Sequence, residues 1–161
     1  MALIPRNGTK PAVGFVGTWA NMEEDNARTG FAGSVFAAGV PVTETTEGVF
    51  DPLTTGKRFA GIALANVDMA GTPLADGTKT FAKDELFGIA DMGAVFVLAG
   101  SSVAVGNPVF YEEATRRFHG ATATGRLPIP QAEFDGAAAA GQPVALRIRV
   151  TPGSAVVTAA T

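Results

Sequence analysis

The sequence contains no cysteine and a single histidine, His119. Disulfide frameworks, thiol nucleophiles and Cys/His zinc centres are thereby excluded. Charge is also scarce: 17% of the residues are Asp, Glu, Lys or Arg, and a net charge of −3 offers no general attraction to a phosphate backbone. Serine is confined to Ser34, Ser101, Ser102 and Ser154, none of them in a G-x-S-x-G elbow. A Ser-His-Asp triad would have to use His119, which sits in Arg116-Arg117-Phe118-His119-Gly120 and reads as a strand-end or turn residue. No apolar run approaches the roughly 20 residues that span a bilayer. Pro5 and Gly8 stand where a secretory signal peptide would carry its apolar core, so export by that route is not expected.

What is present is apolar and heavily punctuated. Of 161 residues, 47% are hydrophobic, 20 are Gly and 10 are Pro. That is enough to build a core in one domain, and too interrupted for a bundle of Glu-, Lys- and Leu-rich helices. Val144, Leu146, Ile148 and Val150 alternate with Ala145, Arg147 and Arg149. The period of two predicts a strand with its aliphatics buried and both arginines on the other face. Val95-Phe96-Val97-Leu98 is short enough for a strand buried on both faces, and Val103-Ala104-Val105 and Val109-Phe110-Tyr111 read the same way. Turn signals recur at short intervals, so the expected class is all-β, a small antiparallel barrel or sandwich with little helix. Ala20 to Arg28 could form two helical turns capped by Asn21, or an acidic loop. Ala137 to Ala140 is too short to nucleate a helix and reads as a loop before the last long strand.

Residues 32–42 (AGSVFAAGVPV) and 99–109 (AGSSVAVGNPV) match at seven of eleven positions without gaps, 67 positions apart. Each copy reads as strand, tight turn, new strand, because Pro lacks an N–H and suits the first residue of a strand. A second echo joins Phe59-Ala60-Gly61-Ile62-Ala63 to Leu86-Phe87-Gly88-Ile89-Ala90. Both describe β architecture, not chemistry. The glycine-rich stretches lack the order of a phosphate-binding loop, and Gly56-Lys57-Arg58 continues into a strand. The adjacent carboxylates Asp84-Glu85 and Glu112-Glu113 would point to opposite faces of a strand, unlike an acid/base couple. Neither Lys79 nor Lys83 has the small apolar flanks of a lipoyl-bearing hairpin.

The order of these segments carries a resemblance. Val13-Gly14-Phe15-Val16-Gly17 leads to Phe31–Val42, then to Gly48-Val49-Phe50 and Phe59–Leu64. Val95–Leu98, Val103–Val109, Arg117-Phe118, Ile129–Phe134, the Ala/Gly loop and Val144–Val150 follow. Over roughly residues 13–150 this resembles the structural cement, or head decoration, proteins of tailed bacteriophages. The resemblance implies a β-tulip-like protein bound to the outside of an assembled phage head, bridging major capsid protein subunits. It implies a homotrimer, with a homodimer as the next choice, and no catalytic residue, cofactor, metal, nucleic acid or membrane. Another β-rich virion component, such as a tail or baseplate adaptor, and a small-ligand-binding barrel are the alternatives.

The expected organisation is an N-terminal arm, residues 1–12, and one β-rich decoration domain, residues 13–161. Leu3 and Ile4 are large aliphatics in a segment too polar and broken to form a core, with Arg6 and Lys10 beside them. Burying both would stabilise a complex by about 3–6 kcal/mol. Ordering the backbone costs about 1–2 kcal/mol per residue, so the arm is expected to bind by adding a strand to a partner's sheet edge. Arg147 and Arg149 are the further candidate contacts for an acidic partner surface.

Overall fold

The computed structural model describes residues 16–21, 25–65 and 80–161, and among these the ordered elements are all strands and turns. The first seven strands are β1 (Asn26–Ala32), β2 (Phe36–Ala37), β3 (Pro41–Thr46), β4 (Val49–Pro52), β5 (Lys57–Arg58), β6 (Gly61–Leu64) and β7 (Thr80–Phe81). They are followed by β8 (Leu86–Leu98), β9 (Pro108–Glu112), β10 (Arg117–His119), β11 (Arg126–Phe134), β12 (Pro143–Arg149) and β13 (Val156–Val157). The all-β class expected from alternation and turn density is the class observed.

Pairing organises the strands into two hydrogen-bonded circuits. In the first, β1 pairs with β4 in parallel, β4 with β3, β3 with β6, β6 with β8, and β8 returns to β1, these last four antiparallel. In the second, β8 pairs with β12, β12 with β11, β11 with β9 and β9 with β10, all antiparallel. A parallel bridge from Phe118 to Ala99, just past the end of β8, closes that circuit. The thirteen residues of β8 therefore serve both: its first half is the last strand of ring 1, and its second half is the first strand of ring 2.

The echo of 32–42 in 99–109 is the trace of this arrangement. Ala32 accepts from the Asp84 N–H at 2.7 Å and donates to the Glu85 carbonyl at 2.9 Å. Ala99 does the same with Gly141 at 2.8 Å and Gln142 at 3.0 Å. Gly39 donates to Ala63 O and Gly106 to Phe134 O, while Ala63 and Phe134 donate back to Val40 and Asn107. Gly39 and Gly106 both take the left-handed conformation, φ +77° and +79°, that lets each turn deliver Pro41 or Pro108 into the next strand. Ile62 faces Pro41 as Glu133 faces Pro108, and Ile89 faces Ala63 as Leu146 faces Phe134. The second echo has another meaning: β6 and β8 are neighbours in one ring and do not occupy equivalent places in the two.

The small residues of the repeat are explained by proximity. A Cβ on Gly33 would lie 2.6 Å from the Asp51 carboxylate, and one on Gly100 would lie 2.3 Å from the His119 ring. Ser34 Oγ donates to Asp51 Oδ1 at 2.7 Å, and Ser101 Oγ lies 3.2 Å from His119 Nδ1. The Ala-Gly-Ser triplet thus places a buried strand end, a close crossing and a hydroxyl in both rings.

The buried side chains form one contiguous cluster. In ring 1, Phe87 packs on Phe36, Phe50 and Phe81 with centroid separations of 5.3, 6.3 and 4.9 Å. In ring 2, Val95 and Val97 of β8 stand opposite the buried Leu146 and Val144 of β12, and Tyr111 packs on Phe118 at 5.1 Å. Two expectations are corrected. Asn26–Arg28 belong to β1 and not to a helix, because their backbone pairs with Ile89–Met92; residues 22–24 lie outside the description. Of Val103-Ala104-Val105 only Val103 pairs, with Ala138, because the turn at Val105-Gly106 begins at once.

Phe87 touches three other aromatic rings at 1% exposure. Phe87→Ala should therefore lower the unfolding free energy by about 3–5 kcal/mol, as read from the midpoint shift in urea denaturation.

Candidate functional site

Arg147 and Arg149 stand on β12 opposite Ala94 and Met92 of β8. The strand's burial alternates as its sequence predicts, with Val144, Leu146 and Ile148 buried and both arginines exposed. The two arginines border an open groove of about 720 Å³ at one mouth of ring 2, with Ala94, Ala132 and Ile148 on its apolar floor. Arg147 Nη2 is 3.2 Å from Asp135 Oδ2, so its guanidinium is oriented by a carboxylate of the connection between β11 and β12. Glu133 faces Arg147 across the β11–β12 ladder. An apolar floor with charges of both signs on its rim suits contact with another protein surface.

Gln131 reaches the same groove from an irregularity in β11, where the register to β9 shifts between Pro128 and Glu133. Its φ of +55° marks the extra residues. Alternation cannot reveal this side chain, because a bulge breaks the period that an alternation argument relies on. Asn21, on the other wall, comes from the loop before β1.

The corresponding mouth of ring 1 is a groove of about 650 Å³ in which Ala60 and Asp91 take the places of Gln131 and Ile148. Arg28 fills it where ring 2 has Val95. Its guanidinium lies 5.0 Å from the centre of the Phe50 ring, donates to Ala60 O at 3.2 Å and approaches Glu44 Oε2 at 3.6 Å. Ring 2 is closed at the same level by Val95, Tyr111 and Phe118, all at most 2% exposed. An ion pair with about 40% of each side chain exposed contributes little stability on its own, so the mouth of ring 1 is the less consolidated of the two. Leu3, Ile4, Arg6 and Lys10 lie outside the described residues.

His119 occupies a strand end, as its sequence context suggests, and is buried there at 4% exposure. Its Nε2 is 3.7 Å from Glu112 Oε2, an ion-pair separation too long for a hydrogen bond. Burial, and then the Arg126 cation, hold the imidazole below its ordinary value of 6.5. The Glu112 carboxyl lies below its usual value because Thr115 donates a hydrogen bond to it, and His119 and Arg126 are close. The folded imidazole takes up a proton less readily than the unfolded one. Its contribution to stability is present above pH 6.5 and declines as pH falls through that value toward the folded pKa. Stability should therefore decrease from pH 7 to pH 5, and because the chain has one histidine, His119→Gln should flatten most of that slope in urea denaturation at a series of pH values.

No curated protein matches the sequence. Among solved structures, the fold is similar to a chain of the capsid of Myoviridae phage XM1, with a TM-score of 0.67 and 18% identity, over 91% of this chain and 98% of that one. A second similar chain is the N base of the head fibre gp8.5 of bacteriophage phi29, at a TM-score of 0.47 and 17% identity, over 77% of this chain and 93% of the other. The family model of the structural cement proteins (E217 gp24/Pam3 gp6) matches residues 4–149. A family match over that much of the chain shows that the protein belongs to the phage structural cement family and acts in the virion head as a capsid-stabilising structural protein.

Proposed function

We propose that the protein binds the outer surface of an assembled head as a homotrimer and holds adjacent major capsid protein subunits together, without catalysing a reaction. The observation that carries this reading is the family match over residues 4–149, which spans both rings and reaches into the arm. Residues 13–161 act as one rigid β-rich unit, and residues 1–12 act as an arm that extends its reach. Leu3 and Ile4 supply the apolar contact of the arm, with Arg6 and Lys10 beside them. Arg6 and Lys10, together with Arg147 and Arg149 on the rim of the ring 2 groove, meet acidic partner residues and give a salt-dependent on-rate rather than most of the affinity.

Heads stripped of the protein and then given it back should release their DNA at a higher temperature than bare heads. Unchanged thermal release at saturating decoration would remove the stabilising role. Deletion of residues 1–10 should weaken attachment to such heads at least tenfold, about 1.4 kcal/mol, measured by co-sedimentation. The double substitution Arg147→Glu and Arg149→Glu should slow association chiefly at low ionic strength.

A further inference from the structure

The two rings differ at one strand edge. In ring 2, Ala94 and Phe96 of β8 turn their outward backbone groups to residues 17–20. Gly17 donates to Phe96 O at 2.7 Å, Phe96 to Thr18 O at 2.9 Å and Ala20 to Ala94 O at 2.7 Å, with Trp19 antiparallel to Val95. The repeat places Ala27, Arg28 and Thr29 of β1 at the positions of Ala94, Val95 and Phe96. Phe31, two residues beyond Thr29, donates to Gly48 O at 2.9 Å on the side away from β8. Backbone groups alternate along a strand, so Ala27 and Thr29 face that same side. There β4 begins only at Val49, and among the described residues no strand runs beside Ala27 and Thr29, which are both exposed. Among the described residues, ring 1 thus has a short unfilled strand position where ring 2 has a filled one.

We propose that this edge accepts Ala2-Leu3-Ile4 from a second copy of the chain, added as an antiparallel strand beside Ala27-Arg28-Thr29. The inference deepens the trimer reading by naming the contact. The lengths agree: two outward residues accept a strand of three, and Pro5 ends the donor strand. The register of Trp19 on Val95 puts Leu3 opposite Arg28, where it covers the open mouth of ring 1 beside Phe59 as Trp19 covers ring 2. Charges agree as well. Antiparallel pairing of Leu3 with Arg28 brings Arg6 level with Asp25 and the α-amino group toward the turn at Glu47, and both acids are exposed. Residues 5–15 can span up to about 40 Å when extended, enough to reach a neighbour. Donation in one direction from copy to copy is a heterologous contact, the type that a three-fold rotation closes into a ring.

The absence of cysteine allows a direct test with full-length chains. An Ala2→Cys chain is mixed with a Thr29→Cys chain, free in solution and on heads, under mild oxidation, and linked peptides are identified by mass spectrometry. An intermolecular disulfide between positions 2 and 29 is expected. It should fall at least tenfold when Ala27→Pro is added to the Thr29→Cys chain, which removes one outward N–H and leaves the β8 ladder intact. Excess synthetic peptide of residues 1–10 should also suppress it, which keeps the test decisive if Ala27→Pro disturbs folding. The proposal is overturned if the chains bind heads and no such link forms. It is also overturned if a chain carrying both cysteines links only to itself as a monomer, since the arm then returns to its own edge. Linkage in solution by chains that do not bind heads would support the strand exchange and overturn the capsid reading instead.

Discussion

Everything in this fold depends on β8 being paired along both edges through most of its length. A buried strand must satisfy its N–H and C=O groups, and β8 does so with four different partners. It pairs with β1 over six residues, with β6 over three and with β12 over seven, and residues 17–20 add to Ala94–Phe96. Gly93, with φ of +123°, sits where the strand passes from one ring to the other. A Cβ there would be 2.7 Å from the Trp19 ring, so the handover is possible only with hydrogen as the side chain.

The two rings use one backbone scheme with different interiors. Ring 1 concentrates its aromatic residues around Phe87 and leaves its mouth to an Arg–Glu pair. Ring 2 spreads aliphatic residues between β8 and β12 and closes the same level with Val95, Tyr111 and Phe118. Where Ser34 meets a carboxylate, Ser101 meets an imidazole. The backbone ladder is thus indifferent to which apolar set fills it, provided that total volume is kept, while Ala, Gly and Ser persist where strands cross closely. This accounts for a composition rich in small residues and poor in charge.

Much of this was legible in the residues. Alternation over Val144–Val150 located β12 and the faces of its arginines, because one side of that strand is solvated. The shared Ala-Gly-Ser and Gly-x-Pro-Val spacing pointed to repeated strand–turn–strand units. The closure of each repeat into a ring was not legible, since ring 1 ends on a strand that ring 2 begins, and a periodicity argument has no means of assigning one strand to two rings. Ala20 to Arg28 read as either two helical turns or an acidic loop, yet long-range pairing of Asn26–Arg28 with β8 makes that part a strand. The grooves depend on a bulge at Gln131 and on facing walls far apart in sequence, so only the fold brings them together.

The shared strand also has a mechanical consequence. Antiparallel ladder bonds lie perpendicular to the strands, so tension along β8 loads its seven-residue ladder with β12 in shear. All the bonds then resist together, instead of parting one after another as they would when peeled from an end. A pull entering through ring 1 reaches ring 2 along one continuous backbone with no linker to stretch. For a protein that stabilises a capsid, that makes the two rings one continuous load path.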